Sequence, residues 1–234
     1  LRHKDRLIFG YKQQIEYMID QPICAQRLLP AKENENQRLE SWLELTSRFD
    51  QTVLLPSLGS TGNALYAISL PLFSALIAEA NNLMVIKSFW RNRFMRRPLL
   101  TPALQFRNFA SITANPKFMD LFEQAKESME NYLDEAENSL VEHGESWLIG
   151  ETFSQIDIEM TVLLDRLRSL TMLEDLLNAR RPQLSLYWQR LSARHSYNAA
   201  LTKFDRRNIK AATMKILATR TTNKEFDELL KVNH

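Results

Sequence analysis

The stretch Gly150-Glu151-Thr152-Phe153-Ser154-Gln155-Ile156-Asp157-Ile158 decides the reading of this chain, because it writes a helix start several times over. Ser154 stands where an N-cap hydroxyl accepts from the amide three residues on. Asp157 takes the third helical position, from which a carboxylate reaches back to the Ser154 N–H, as Glu or Gln does in a capping box. Its negative charge also suits the positive end of the helix dipole. Phe153 and Ile158 have the spacing of a hydrophobic staple. The run that follows (Ile158, Met160, Val162, Leu163, Leu164, Leu167 and Leu170) contains no Gly or Pro, so this helix is expected to be buried and central.

Working outward, the 234 residues suffice for one large or two small domains, and five glycines against long helical patterns argue against an all-β fold. One cysteine, Cys24, excludes an intrachain disulfide and a Cys-rich zinc site, and fits a reducing compartment. His3, His143, His195 and His234 are scattered without ligand spacing, so no metal is expected. There is no Gly-rich phosphate loop, nucleophile elbow or His-Glu-x-x-His. Residues 64–86 are strongly apolar with a single charge, Glu79, but Pro71, Asn81 and Asn82 interrupt them. A buried or partner-facing helix is expected there rather than a membrane span. No basic segment leads into a short apolar one at the start, so no signal peptide is expected and the location is expected to be cytoplasmic.

Residues 1–10 read as a strand pair around a His3-Lys4-Asp5 turn, followed by a short helix over 11–20 that Gln21-Pro22 ends. An amphipathic helix is expected over 37–55, with Leu39, Trp42, Leu43, Leu45, Phe49, Val53 and Leu54 on its apolar side. The clearest helix spans 116–142, with a stripe of Phe118, Leu121, Phe122, Ala125, Met129, Tyr132, Leu133, Ala136 and Leu140, and His143-Gly144 closes it. The boxed helix covers 155–169, a short one 172–179, and Arg181-Pro182 opens another with Leu184, Leu186, Tyr187, Trp188 and Leu191 apolar.

These segments together resemble the cytosolic glutathione transferases. The Gly-x-x-aromatic-Ser-x-x-Asp box, the preceding Trp147-Leu148-Ile149-Gly150, and Arg181-Pro182-Gln183-Leu184 with Trp188 and Arg194-His195-Ser196-Tyr197 resemble that family's all-helical C-terminal half, with His195 where a Pro is usual. The opening hairpin and helix, Tyr17, and Leu28-Leu29-Pro30 resemble the end of its thioredoxin-like domain and linker. The fold so implied is mainly α: a glutathione-transferase C-terminal helical bundle preceded by a partial thioredoxin-like α/β segment. Residues 1–30 would be the truncated first domain and linker, and 31–234 the all-helical domain, with a long insertion around 59–115 and a basic C-terminal tail. The insertion's length and basic character resemble the ganglioside-induced differentiation-associated branch.

The resemblance implies glutathione as substrate and a hydrophobic electrophile as acceptor, in a protein expected to be a homodimer with no nucleic-acid partner. The family's catalytic Ser, Cys or Tyr would lie upstream of Leu1. Its Glu-Ser pair, which holds the γ-glutamyl carboxylate, falls on Gly10 and Tyr11 here, so its acid is absent; Tyr11 and Gln13 (or Gln14) would donate instead. The acceptor pocket would draw on Trp42, Leu45, Thr46, Phe49 and Arg48. The changed pair supports a second expectation, a non-catalytic module of the same fold acting through its basic insertion. From 80 to 119 there is no acid, and Phe89-Trp90-Arg91-Asn92-Arg93-Phe94-Met95-Arg96-Arg97 interleaves rings with arginines, whereas 120–145 is strongly acidic. A solvated or mutually paired face is the expected reading of each charged stretch.

Overall fold

In this computed structural model the described residues are 2–3, 6–7, 17, 20–21, 28–30, 32–46, 61–79, 113, 116–144, 146–177, 179–202 and 207–232. Strands β1 (Arg2–His3) and β2 (Arg6–Leu7) pair antiparallel, Arg2 opposite Leu7 and His3 opposite Arg6. The expected strand pair is therefore present, with His3 inside a strand rather than in the turn. The remaining regular structure among the described residues is helical.

Helix α1 (Glu33–Leu45) begins four residues before its expected start, because Glu33 and Glu35 place negative charge in the first turn. Thr46 caps its far end, and 47–55 of the expected helix lie outside the described residues. The apolar stretch forms two helices, α2 (Thr61–Ile68) and α3 (Leu70–Glu79). Pro71 supplies no amide and its ring collides with a helical carbonyl one turn back, so the axis breaks at Ser69. The Ser69 hydroxyl donates to the Leu65 carbonyl at 2.6 Å across that break. Thr61–Ala78 is long and apolar enough to cross a membrane by length and composition, with a mean hydropathy of 1.4, yet 61% of it is buried inside the fold. Helix α2 lies on the long helix α4 (Pro116–His143), and α3 lies on α9 (Arg207–Thr222), which is how both apolar faces are covered.

Helix α4 presents the expected stripe. Phe122, Ala125, Met129, Leu133 and Ala136 are fully buried, and Gly144 ends the helix in the left-handed region at φ +58 with its amide on the Leu140 carbonyl. Helix α5 (Gln155–Ser169) is central as expected, packed by α1, α7 (Pro182–Ala193) and α9 and by the short α6 (Leu173–Leu177). Its run departs from the expectation at two positions: Ile158 and Val162 are exposed, while Ile156, Met160, Leu163, Leu164 and Leu167 are buried. Residues 158 and 162 are one helical turn apart on a shared face, and that face fronts a cavity instead of core.

Helix α7 (Pro182–Ala193) starts at its proline, and Arg194 in extended conformation separates it from the single turn α8 (His195–Tyr197). A π-helical turn, Asn198–Thr202, follows. The basic tail folds as α9 (Arg207–Thr222) and α10 (Lys224–Leu230), with the Asn223 side chain capping α10 through the Phe226 amide at 3.0 Å. Phe226, Leu229 and Leu230 enter the core.

Three polar anchors hold these helices in register. Arg181 has no exposed surface; its Nε meets Asp134 of α4 at 2.8 Å, while Nη1 and Nη2 donate to the Leu176 and Glu130 carbonyls. Glu137, also on α4, accepts from the amides of Gln183 (3.1 Å) and Leu184 (2.7 Å), supplying the acceptor that the first turn of α7 otherwise lacks. Lys126 is buried and donates to the carbonyls of Leu229 (3.3 Å) and Lys231 (2.9 Å), closing the C-terminal end of α10.

Candidate functional site

The box at the head of α5 is a buried polar node. Asp157 accepts from the Ser154 amide at 2.7 Å and from the Ser154 hydroxyl at 2.8 Å on one carboxylate oxygen. Its other oxygen accepts from the Leu148 amide at 3.2 Å and the Tyr187 hydroxyl at 2.6 Å. The Ser154 side chain faces the Asp157 amide in capping-box geometry, with its proton on the carboxylate. The 147–150 run is fastened to the helices around it: the Leu148 carbonyl takes Arg38 of α1 and Ser139 of α4, both at 3.1 Å. Gly150 sits so close to α1 that a Cβ there would meet Glu35 Oε1 at 2.9 Å.

Burial sets the electrostatics of this node. It pushes the Asp157 carboxyl above its ordinary value, against the pull of four hydrogen bonds. The Tyr187 phenol is raised by burial and then by the neighbouring Asp157 charge, so it stays a donor. Tyr132 is raised by burial first and by Glu159 second. A carboxylate with every lone pair engaged and a phenol that keeps its proton organise structure; neither is placed to move a proton to a substrate.

Next to the node is a cavity of about 780 Å³. Its walls come from the linker (Leu28, Leu29), the run into the box (Trp147, Phe153), the exposed face of α5 (Ile158, Val162) and the α7–α8 junction (Leu191, Arg194, Tyr197). Phe153 and Trp147 meet edge to face at 5.1 Å, and the Arg194 guanidinium lies 3.6 Å from the Phe153 ring centre and 5.2 Å from that of Trp147. Phe153 therefore makes these contacts while its expected staple partner, Ile158, lines the same cavity.

The expected site residues divide sharply. Ser154 and Asp157 occupy their predicted structural roles. Trp42 is buried, its ring edge-on to Tyr132 at 5.4 Å, so it belongs to the core. Thr46 donates its hydroxyl to the Trp42 carbonyl at 2.9 Å, and Leu45 beside it is exposed. Gly10, Tyr11, Gln13, Arg48, Phe49 and the Arg91–Arg97 cluster (residues 91, 93, 96 and 97) lie outside the described residues. Sequence reasoning had not grouped Leu28, Val162 and Arg194. The signal for Val162 was its spacing from Ile158, which reads equally well as core. Among the described residues no three His, Cys, Asp or Glu side chains gather as metal ligands.

Comparison with known proteins bears on the helical half. Residues 109–203 match the family model described as glutathione S-transferase, C-terminal domain. No curated protein and no solved structure matches the chain.

Proposed function

From the premise that residues 109–203 form a glutathione S-transferase C-terminal domain, we propose that the protein conjugates or exchanges the glutathione thiolate with a hydrophobic electrophile, as a cytoplasmic homodimer. The observation that carries this reading is the buried Ser154–Asp157 box at the head of the central helix, inside the matched segment. The chemistry needs a thiolate, because the thiol is a weak nucleophile. The sulfur attacks an electrophilic carbon, the leaving group departs with its bonding pair, and the thiol proton passes to solvent or a base. In this reading Gly10, Tyr11 and Gln13 would line the tripeptide's γ-glutamyl end. With Trp42 committed to the core, the acceptor wall would fall to Thr46, Arg48 and Phe49.

The test is retention of the full-length protein on immobilised glutathione, together with conjugation of 1-chloro-2,4-dinitrobenzene followed by its absorbance. Retention with turnover supports the reading; neither removes it. The missing acid at Gly10–Tyr11 favours a second reading, a non-catalytic module that binds through its basic insertion. Reversing Arg91, Arg93, Arg96 and Arg97 to Glu would then abolish capture of the protein's partner, while unchanged capture would rule the insertion out.

A further inference from the structure

Arg190 and Arg194 stand one turn apart at the end of α7, so their side chains share a face. Both lie against one cluster of rings. Tyr187 meets Trp147 at 6.1 Å and Trp147 meets Phe153 at 5.1 Å, each edge to face. The Arg190 guanidinium lies 5.9 Å from the Tyr187 ring centre, and that of Arg194 lies 3.6 Å from the centre of Phe153 and 5.2 Å from that of Trp147. Ring faces attract cations, so the cluster holds both guanidinium forks beside each other. Arg168, Arg180, Arg181 and Arg220 each meet a carboxylate. Arg190 and Arg194 differ: among the described residues neither forms an ion pair or donates a hydrogen bond. Their Nε atoms are buried, whereas their terminal nitrogens reach solvent. Like charges at this spacing repel. Asp157, which touches the same rings through the Tyr187 hydroxyl, already has both oxygens engaged. Two neighbouring forks without a counter-charge match a ligand with two negative charges and several acceptor oxygens. We propose that Arg190 and Arg194 together bind a phosphate group, carried as free phosphate or as a phosphate monoester. A carboxylate brings one charge and would engage one fork. Arg190 is not among the walls of the cavity beside α5, so an anion held between the two arginines lies outside that cavity.

The experiment titrates the full chain with inorganic phosphate, phenyl phosphate and benzoate at constant ionic strength, by calorimetry, without glutathione. Leaving glutathione out separates failure here from failure of the transferase reading. Both phosphates should bind saturably and at least about fivefold tighter than benzoate. Matching affinities for the two phosphates assign the site to the free ion, and a tighter phenyl phosphate assigns it to a monoester; either supports the proposal. Arg190→Gln and Arg194→Gln should each weaken phosphate binding by about tenfold, and the double variant should abolish it. Arg190→Lys and Arg194→Lys, which keep the charge over the rings but lose the fork, should retain part of the affinity and serve where a Gln variant fails to fold by circular dichroism. Lys210→Gln, which removes an exposed cation from α9, should change the affinity by less than about twofold. The proposal is overturned by absence of saturable phosphate binding or by benzoate binding as tightly as phosphate. It is equally overturned if the double Gln variant binds like the parent, or if Lys210→Gln weakens binding as much as the arginine variants do, which would mean diffuse charge attraction only.

Discussion

Asp157 holds two amides and two hydroxyls from three segments of the chain, so removing its side chain strands several buried donors at once. Asp157→Ala is expected to lower unfolding free energy by about 3 kcal/mol, since each buried group left unpaired costs about 1–3 kcal/mol and neighbouring losses overlap. Ser154→Ala removes only one hydroxyl and is expected to cost about 1 kcal/mol, in the range for N-caps. Urea unfolding of both variants gives the comparison, and a Ser154→Ala cost equal to or above that of Asp157→Ala would refute this ranking. The Ser154–Asp157 half of the node was legible because a capping box is local, three residues from end to end. The Tyr187 half was not. Its partner lies 30 residues away, and a Tyr in an apolar stripe gives no sign of where its hydroxyl will land.

At the scale of elements, periodicity located α4, α5 and α7 almost to the residue, because each has a long apolar stripe and a marked start: Pro116, Ser154 and Pro182. It did worse where burial and period part company. Ile158 and Val162 fit the α5 pattern yet face a cavity, and the basic tail concealed α9 and α10, whose core contacts come from few residues such as Ile216, Phe226 and Leu229. Those tail helices are fastened electrostatically. Asp227 receives Arg220 at 2.8 Å and Lys231 at 2.7 Å, and its carboxyl is held below the ordinary value of 3.8, first by the Lys231 hydrogen bond and then by that of Arg220. A depressed carboxyl stabilises the fold above its unfolded-state value and loses that contribution as pH falls through and below 3.8. The urea midpoint is expected to fall on acidification from about pH 5 to about pH 3 by more in the parent than in Asp227→Asn, which has nothing to protonate there. Equal falls would show that the Arg220–Asp227 contact does not contribute. Lys126→Met, by contrast, should act at any pH. It leaves the Leu229 and Lys231 carbonyls without their buried donor, and faster hydrogen exchange confined to 226–231 is its expected signature.

Across the whole molecule, charge segregation had suggested that the acids of 120–145 would be solvated or would pair with the basic residues 87–107. Among the described residues the structure ties part of that acidic face elsewhere. Glu130 and Asp134 face Arg180 and Arg181, Glu137 caps α7, and Glu123 meets Lys126. The acids thus join α4 to the α6–α7 corner, 47 residues apart in sequence at Asp134–Arg181. No pattern in the sequence marks Arg181 as fully buried, because its position before a helical proline looks like a surface turn. Arg181 makes its contacts to two different helices, α4 through Asp134 and Glu130 and α6 through Leu176, so its loss should be felt by the domain as a unit. Arg181→Met keeps most of the volume but leaves the Leu176 and Glu130 carbonyls without a donor and Asp134 with only the more distant Arg180, at 3.7 Å. A loss of about 2–4 kcal/mol is expected, because two carbonyls lose their donor at about 1–3 kcal/mol each. Asp134→Asn should cost less, because Asp134 is 40% exposed and water can replace part of its role. If the helices form one cooperative body, urea denaturation of Arg181→Met moves to lower concentration with an unchanged slope. A second transition, or a reduced slope, would mean instead that α6 and α7 can detach from α4 while the remainder stays folded.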